Sequence, residues 1–364
     1  MRQRQQRFPK LTNLKYFETN MVQETIQLHD RYMLQAHAYM RKWMDQPHDE
    51  WKYPNIASTN NNNNTPQQQQ QQKVCVVIQT SHRVIPYIFS LLYSILSGHS
   101  PNEWHAVFQT HLLHSEHRPA RLPYTLFEQS LKHIPLFHKV HYAPNTTDPN
   151  DYAKNIMRDT IHALQICQQA NLTWCLVLED DAVVMPHLAT VLPELLSSSS
   201  SNSSWQTANV SQISLYAYYN TIRLKHLARL ENPDYAAQYE RDVNPYHPRP
   251  TPYFLHPAVH PAGTVANMYH GKYVPALIAY LQSWLHPAEA SGKSVARNVD
   301  VYISNPELFL QTSHSQRWQT TPSLVNHVGF YSERMENVHD LTSQLATDVR
   351  FRLEVEQSQS NDEG

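Results

Sequence analysis

The sequence predicts an α/β fold, a mostly parallel sheet covered by helices on both faces. Three observations carry this. From Lys73 onward, short apolar runs of strand length alternate with segments of helical period. Runs such as Val74-Cys75-Val76-Val77-Ile78 are apolar throughout rather than alternating, as a strand buried on both faces requires. The run Trp174-Cys175-Leu176-Val177-Leu178 then delivers Glu179-Asp180-Asp181 to a strand end, the edge at which open α/β folds bind nucleotides.

Element by element, Leu14 to Met44 repeats apolar residues at Leu14, Phe17, Met21, Leu28, Tyr32, Tyr39 and Trp43, the stripe of an amphipathic helix. Such a helix packs on the body, forms a stalk or lies on a membrane, and packing is the default. Asn60 to Asn64 and Gln67 to Gln72 form a low-complexity linker that cannot bury a core. Val74 to Ile78 is the first strand and Ile85 to Leu96 the helix after it. Trp104 to Phe108 reads as a second strand, Leu126 to Ile134 as a helix and Lys139 to Tyr142 as a third strand. A helix from about Asp151 to Gln169 carries the stripe Ala153, Ile156, Met157, Thr160, Leu164 and Cys167, with Lys154, Arg158 and Asp159 off it. The acidic strand follows.

Leu188 to Leu196 then reads as a helix, Ser197 to Ser204 as a flexible loop and Gln212 to Tyr219 as a strand. Glu231 to His260, rich in Pro, His and Tyr, is an irregular excursion. Tyr273 to Trp284 is helical, Val299 to Ile303 is strand-like or a helix start, and Thr321 to Ser332 closes the series. The chain divides into an N-terminal helical segment (1–58), the linker (59–72), one catalytic-sized domain (73–335) and a polar tail (336–364).

Composition narrows the function. A net charge of −2 carries no basic footprint, which argues against a nucleic-acid partner. The 23 histidines would turn the chain positive on mild acidification. Three cysteines exclude a disulfide-dense scaffold; Cys75 and Cys175, inside apolar runs, read as small buried hydrophobes, and one disulfide among the three stays open. Apolar runs such as Val84 to Leu96 and Val274 to Leu285 fall short of the ~18–20 residues that span a bilayer. The first residues, MRQRQQRFPK, lack the apolar core of a signal peptide. Sequons at Asn63, Asn145, Asn171, Asn202 and Asn209 are a weak sign of a secretory lumen in a chain so rich in Asn, Ser and Thr.

The chemistry starts from the acids. Placing Glu179, Asp180 and Asp181 side by side is costly unless a cation or hydrogen-bond donors compensate, and a hard divalent ion is the natural compensator. The competing reading, a solvated acidic turn, sits poorly after a buried strand. Thr80-Ser81-His82-Arg83 occupies the loop after the first strand, where a nucleotide would lie; Arg83 either contacts a diphosphate or caps the next helix. Lys154, Arg158 and Asp159 either reach the nucleoside or are solvated surface. His111, His114 and His117 invite a zinc reading, but positions six apart on a helix face different ways and no Cys accompanies them, so a loop is preferred.

Leu178-Glu179-Asp180-Asp181, followed about 140 residues later by Pro322-Ser323-Leu324-Val325-Asn326-His327-Val328-Gly329, resembles eukaryotic GT-A glycosyltransferases. The nearest types are the N-acetylglucosaminyltransferase IV and the post-attachment GPI-glycan N-acetylgalactosaminyltransferase families, and the match runs from about Lys73 to Ser332. The resemblance implies a GT-A-like (Rossmann-like) single catalytic domain. It implies metal-dependent, inverting transfer of an N-acetylhexosamine from a UDP-sugar to a glycan acceptor, a GPI glycan first and an N-glycan next, with Mn²⁺ or Mg²⁺. It also implies a Golgi or ER lumen setting and membrane association or a membrane-anchored partner. By position, Asp181 and His327 would hold the metal, and Glu179 and Asp180 would contact the nucleoside, with Thr80, Arg83, Lys154 and Asp159 around the donor. An inverting transfer needs a carboxylate base. Asp300 is the first candidate and Glu333 its rival, with Asp300 as a plain N-cap the plainer reading. Tyr253, Tyr269 and Trp284 either stack on acceptor sugars or are core.

Animal members of the GPI-glycan group carry an N-terminal anchor and a hydrophobic hairpin in the catalytic domain. Neither is visible here, and Glu231 to His260 is polar, so the chain reads as soluble as written, tethered by a partner or truncated. The alternative function is an inactive GT-A domain that binds glycans or serves as a scaffold. A nucleotidyl- or phosphotransferase is a third reading, without a glycine-rich phosphate loop to support it.

Overall fold

The computed structural model describes residues 31–46, 49–52, 74–81, 87–115, 134–143, 151–197, 210–216, 254–257, 264–297, 299–303, 316–321, 323–327, 331–332 and 337–338. Helix α1 (31–44) buries Tyr32, Met33, Ala36, Met40 and Trp43, a helical stripe that packs on the body. Met40 and Trp43 join the main core, while Tyr32 and Met33 lie against Tyr87, Val183 and Met185.

Strand β1 (Val74–Ser81) leads to α2 (Ile88–Gly98). Next comes α3 (Pro101–Val107), where the sequence suggests a strand at Trp104 to Phe108. The Ser100 hydroxyl accepts the Glu103 amide, the Glu103 carboxylate accepts the Ser100 amide, and Pro101 opens the helix. This capping box starts a helix that overrides the strand propensity of Trp104 and Val107. Strand β2 (Phe108–Ser115) therefore begins four residues later than expected, and His111 and His114 lie on it rather than in a loop. His117 and the expected helix at Leu126 to Ile134, apart from Ile134, lie outside the described residues.

Strand β3 (Lys139–Tyr142) falls where expected. Helix α4 (Tyr152–Ala170) starts on Asp151, whose side chain accepts the Lys154 amide, and ends on Asn171 in the left-handed region at φ 52°. Strand β4 (Trp174–Glu179), strand β5 (Ala182–Val184), helix α5 (Leu188–Ser197) and strand β6 (Val210–Ser214) follow. Most of the expected loop after Ser197 and of the excursion at Glu231 to His260 lies outside the described residues; within the excursion, Phe254–Pro257 is strand β7. Strand β8 (Ala266–His270) feeds α6 (Val274–Ser291), and Val299–Ile303 is helix α7. Strands β9 (Gln316–Thr321), β10 (Val325–His327), β11 (Tyr331–Ser332) and β12 (Asn337–Val338) complete the chain described.

The main sheet runs β3-β2-β1-β4-β8-β6-β9-β7. The first four strands are mutually parallel; β8 is antiparallel to both neighbours, β6 and β9 are parallel, and β7 is antiparallel to β9. The two-residue period sorts the core. Val74, Val76, Ile78, Leu176 and Leu178 pack with α1, α2, α3 and α5, while Cys75, Val77, Cys175 and Val177 pack with α4, α6 and α7. Cys75 forms a disulfide with Cys167, tying β1 to α4, so Cys75 is a cross-link rather than a plain buried hydrophobe. Cys175 stays a buried thiol beside Cys75 in register, and burial pushes its pKa upward.

Candidate functional site

The site grows from the parallel register of β1 and β4. Gln79 pairs with Glu179, so Thr80-Ser81, still paired with β2, and the turn residues Asp180-Asp181 lie at the same edge of the sheet. Asp180 turns back to β1, accepting the Thr80 hydroxyl at 2.9 Å and the Ser81 amide at 3.4 Å. Glu179 accepts the Thr264 hydroxyl from the segment entering β8.

The next strand decides the rest. β5 pairs antiparallel with β10 in the register Val325–Val184, Asn326–Val183 and His327–Ala182. The Met185 amide donates to Leu324 O at 3.0 Å, and the Leu324 and Val325 amides both donate to Leu215 O. So braced, His327 arrives beside the residue preceding Ala182, and its Nε2 stands 3.3 Å from Asp181 Oδ2. One ligand atom each from Glu179, Asp181 and His327 lie within 4.8 Å of one another. The Tyr216 ring centroid is 6.2 Å from that of His327. Asp180 and Asp181 are buried, and Glu179 and His327 are half-buried.

Two carboxylates ~4 Å apart repel by about 4 kcal/mol at the effective dielectric of a protein margin. A divalent cation between them reverses that sign. The donor set of two carboxylate oxygens and one imidazole nitrogen suits such an ion, the oxygens fitting Mg²⁺ or Mn²⁺ and the nitrogen fitting transition ions. The acids thus divide as Glu179 with Asp181 and Asp180 apart, whereas the motif had paired Glu179 with Asp180. Asp180 and Asp181 lie in the turn between β4 and β5, so this division comes from the turn and not from strand alternation.

The other expected site residues lie as follows. Lys154 is buried, its Nζ 3.0 Å from Asp151 Oδ2, so solvation does not explain it. Burial works against ionising Asp151, but the Lys154 amide, the Ser294 hydroxyl and the Lys154 ammonium outweigh it and hold its pKa below the usual value. Asp159 is likewise buried and accepts the Ser115 hydroxyl at 2.8 Å, at the end of β2. Arg158 pairs with Glu289 at 2.6 Å. Asp300 accepts the Val301 amide at 3.0 Å, a contact with the first turn of its own helix. Arg83, Glu333 and Tyr253 lie outside the described residues. Tyr269 is core, and burial raises its hydroxyl pKa, while Trp284 is 46% exposed. Thr264, Ser115 and Asp151 carry no motif that singles them out.

No family model and no curated protein matches the chain. Among solved structures, a match is found with mannosyltransferase PcManGT from Pyrobaculum calidifontis in complex with GDP-Man and Mn²⁺. Identity is 14% and the TM-score 0.31, over 71% of this chain and 57% of that one. A likeness so slight leaves the functional reading to the residues themselves.

Proposed function

We propose that the chain is a metal-dependent inverting glycosyltransferase that moves an N-acetylhexosamine from a UDP-sugar to a glycan acceptor. The observation that carries this reading is the grouping of Glu179, Asp181 and His327 at the carboxyl edge of a parallel sheet. Asp181 and His327 would hold Mn²⁺, or Mg²⁺ less readily, with Glu179 beside them as a third donor. When bound, the ion stabilises negative charge developing on the leaving nucleoside diphosphate. Asp180 is held by Thr80 and Ser81 to face the nucleoside, and Asp159, anchored by Ser115, lines the same edge. Lys154 acts through Asp151 and sets the start of α4. Arg83 is the diphosphate contact.

In the transfer, the acceptor hydroxyl oxygen bonds to the anomeric carbon as the bond to the diphosphate oxygen breaks. The hydroxyl proton goes to a carboxylate, Asp300 first and Glu333 second. The resemblance favours a GPI glycan as acceptor and an N-glycan next. The Cys75–Cys167 disulfide supports an oxidising compartment, the Golgi or ER lumen. Among the described residues no helix is long and apolar enough to cross a membrane, so association with one runs through a partner or through other parts of the protein.

The test is a panel of UDP-sugars with Mn²⁺, scored by UDP release with and without glycan acceptors. A UDP-N-acetylhexosamine should give the highest turnover. Asp300→Asn should keep UDP binding and lose transfer by ~10²-fold or more. Normal turnover in that variant moves the base to Glu333. The contact of Asp300 with its own helix favours the second reading, an inactive GT-A domain that binds glycans or acts as a scaffold. If UDP with Mn²⁺ fails to raise the melting temperature and no donor is turned over, that second reading stands and the first falls.

A further inference from the structure

A second set of ligating side chains gathers where β2, β3 and α4 meet, separated from β4 by the whole of β1. Diagonal pairing across the ladder brings His111 Nδ1 to 3.1 Å from His141 Nε2. The exposed His138 stacks edge-on against His111 with ring centroids 5.3 Å apart, and His162 of α4 lies 6.3 Å from His141. On its far side, His111 Nε2 meets the Gln109 amide at 3.1 Å.

We propose that His111, His141 and His138 form a second metal site, one that takes an imidazole-preferring divalent ion of the Zn²⁺ class and is independent of the acidic corner. Two imidazole nitrogens on one tetrahedral Zn²⁺ stand about 3.3 Å apart, close to the 3.1 Å of this pair, so the ion enters when both rings turn to aim their lone pairs at it in place of each other. His138, its ring edge-on to His111, is the nearest further imidazole for a third position, and water completes the shell. A metal on His111 Nδ1 leaves the ring proton on Nε2, where the Gln109 carboxamide oxygen accepts it once that amide is turned over. His111 and His141 are uncharged at neutral pH, and the ion has to displace only the one proton that their hydrogen bond shares. Burial first, then the neighbouring histidines and Lys139, hold His111 at about 3; burial, Lys139 and the other histidines hold His141 at about 4. The exposed Lys139 opposes a dication, which sets the affinity below that of a structural zinc site.

Zn²⁺ titration of the Asp181→Ala protein tests this with the acidic group removed as a competitor. One equivalent should bind with a Kd below ~10 μM. X-ray absorption of that bound Zn²⁺ should show at least two imidazoles, and excess Mn²⁺ should not displace it. Adding His141→Gln should weaken binding by ~10-fold or more. Should that variant fold poorly, the exposed His138→Ala gives the same comparison without disturbing the sheet. No Zn²⁺ binding in the Asp181→Ala protein overturns the proposal. So does an oxygen-only shell, or an affinity that neither histidine substitution changes.

Discussion

Asp151 at the start of α4 and Asp181 after β4 both have side chains almost closed to solvent, yet they are neutralised in different ways. Asp151 has a fixed cation, the Lys154 ammonium at 3.0 Å, with a hydroxyl and an amide completing its shell. Asp181 has an imidazole at 3.3 Å and a second carboxylate within reach of the same point. The first arrangement is closed and contributes to folding, whereas the second gathers negative charge that a bound cation would complete. Removing a group should therefore have opposite consequences in the two places.

The largest effect is expected at the acidic corner. Asp181→Ala should lower Mn²⁺-dependent UDP-sugar turnover by ~10³-fold or more. Its melting temperature without metal should hold or rise, because one of the clustered charges is gone. A clear fall in that melting temperature would make Asp181 a structural acid and erase the contrast with Asp151.

Lys154→Met should do the reverse and destabilise the fold by ~3 kcal/mol, since Asp151 keeps its enclosed charge and loses its cation. Urea unfolding would measure this. A loss below ~1 kcal/mol would place the pair with ordinary surface salt bridges.

Acid should separate ionic from neutral burial. His111 is held at about 3 in the folded chain against 6.5 when free, so between those values the unfolded chain binds more protons. Its contribution is complete above about pH 6.5 and declines as pH falls, by ~2 kcal/mol at pH 5. Asp151, depressed from 3.8, keeps its contribution until the pH falls below that value. Stability in urea followed from pH 7 to pH 3 should thus begin to fall well before carboxylates protonate, and His111→Gln should flatten that first decline.

The smallest effect belongs to Thr264→Val, which removes the hydroxyl on Glu179. It should weaken Mn²⁺ by ~10-fold while costing about 1 kcal/mol of stability. Unchanged Mn²⁺ affinity would set Glu179 outside the metal group.

Much of the parallel half of the sheet was legible because β1 and β4 are apolar on both faces and α4 carries a clean stripe, whereas β3, Lys-Val-His-Tyr with no buried residue, showed itself only by its place in the series. Trp104 and Val107 were misleading because a capping box two residues long in its essentials, Ser100 and Glu103, outweighs strand propensity. Lys154 and Asp159 looked like surface because period counting sees charge and not the Asp151 and Ser115 partners that enclose it. The antiparallel half was less legible: β7 lies in a stretch with no period, and β10 is three residues long. His327 stood out by its motif, but its approach to Asp181 depends on the β5–β10 register, which no local pattern encodes.

That register also orders events during synthesis. Asp181 and His327 are 146 residues apart in the chain, so a ribosome needs roughly 10–30 s between releasing one and the other. Thr80 precedes Asp180 and is available to receive it at once, whereas Asp181 waits for β10. A chain halted before residue 323 retains the sequence of β1 through β4 but lacks the imidazole of the three-residue group. Tight ion uptake would therefore mark a chain that has been extended past β10 and has closed its ladder with β5.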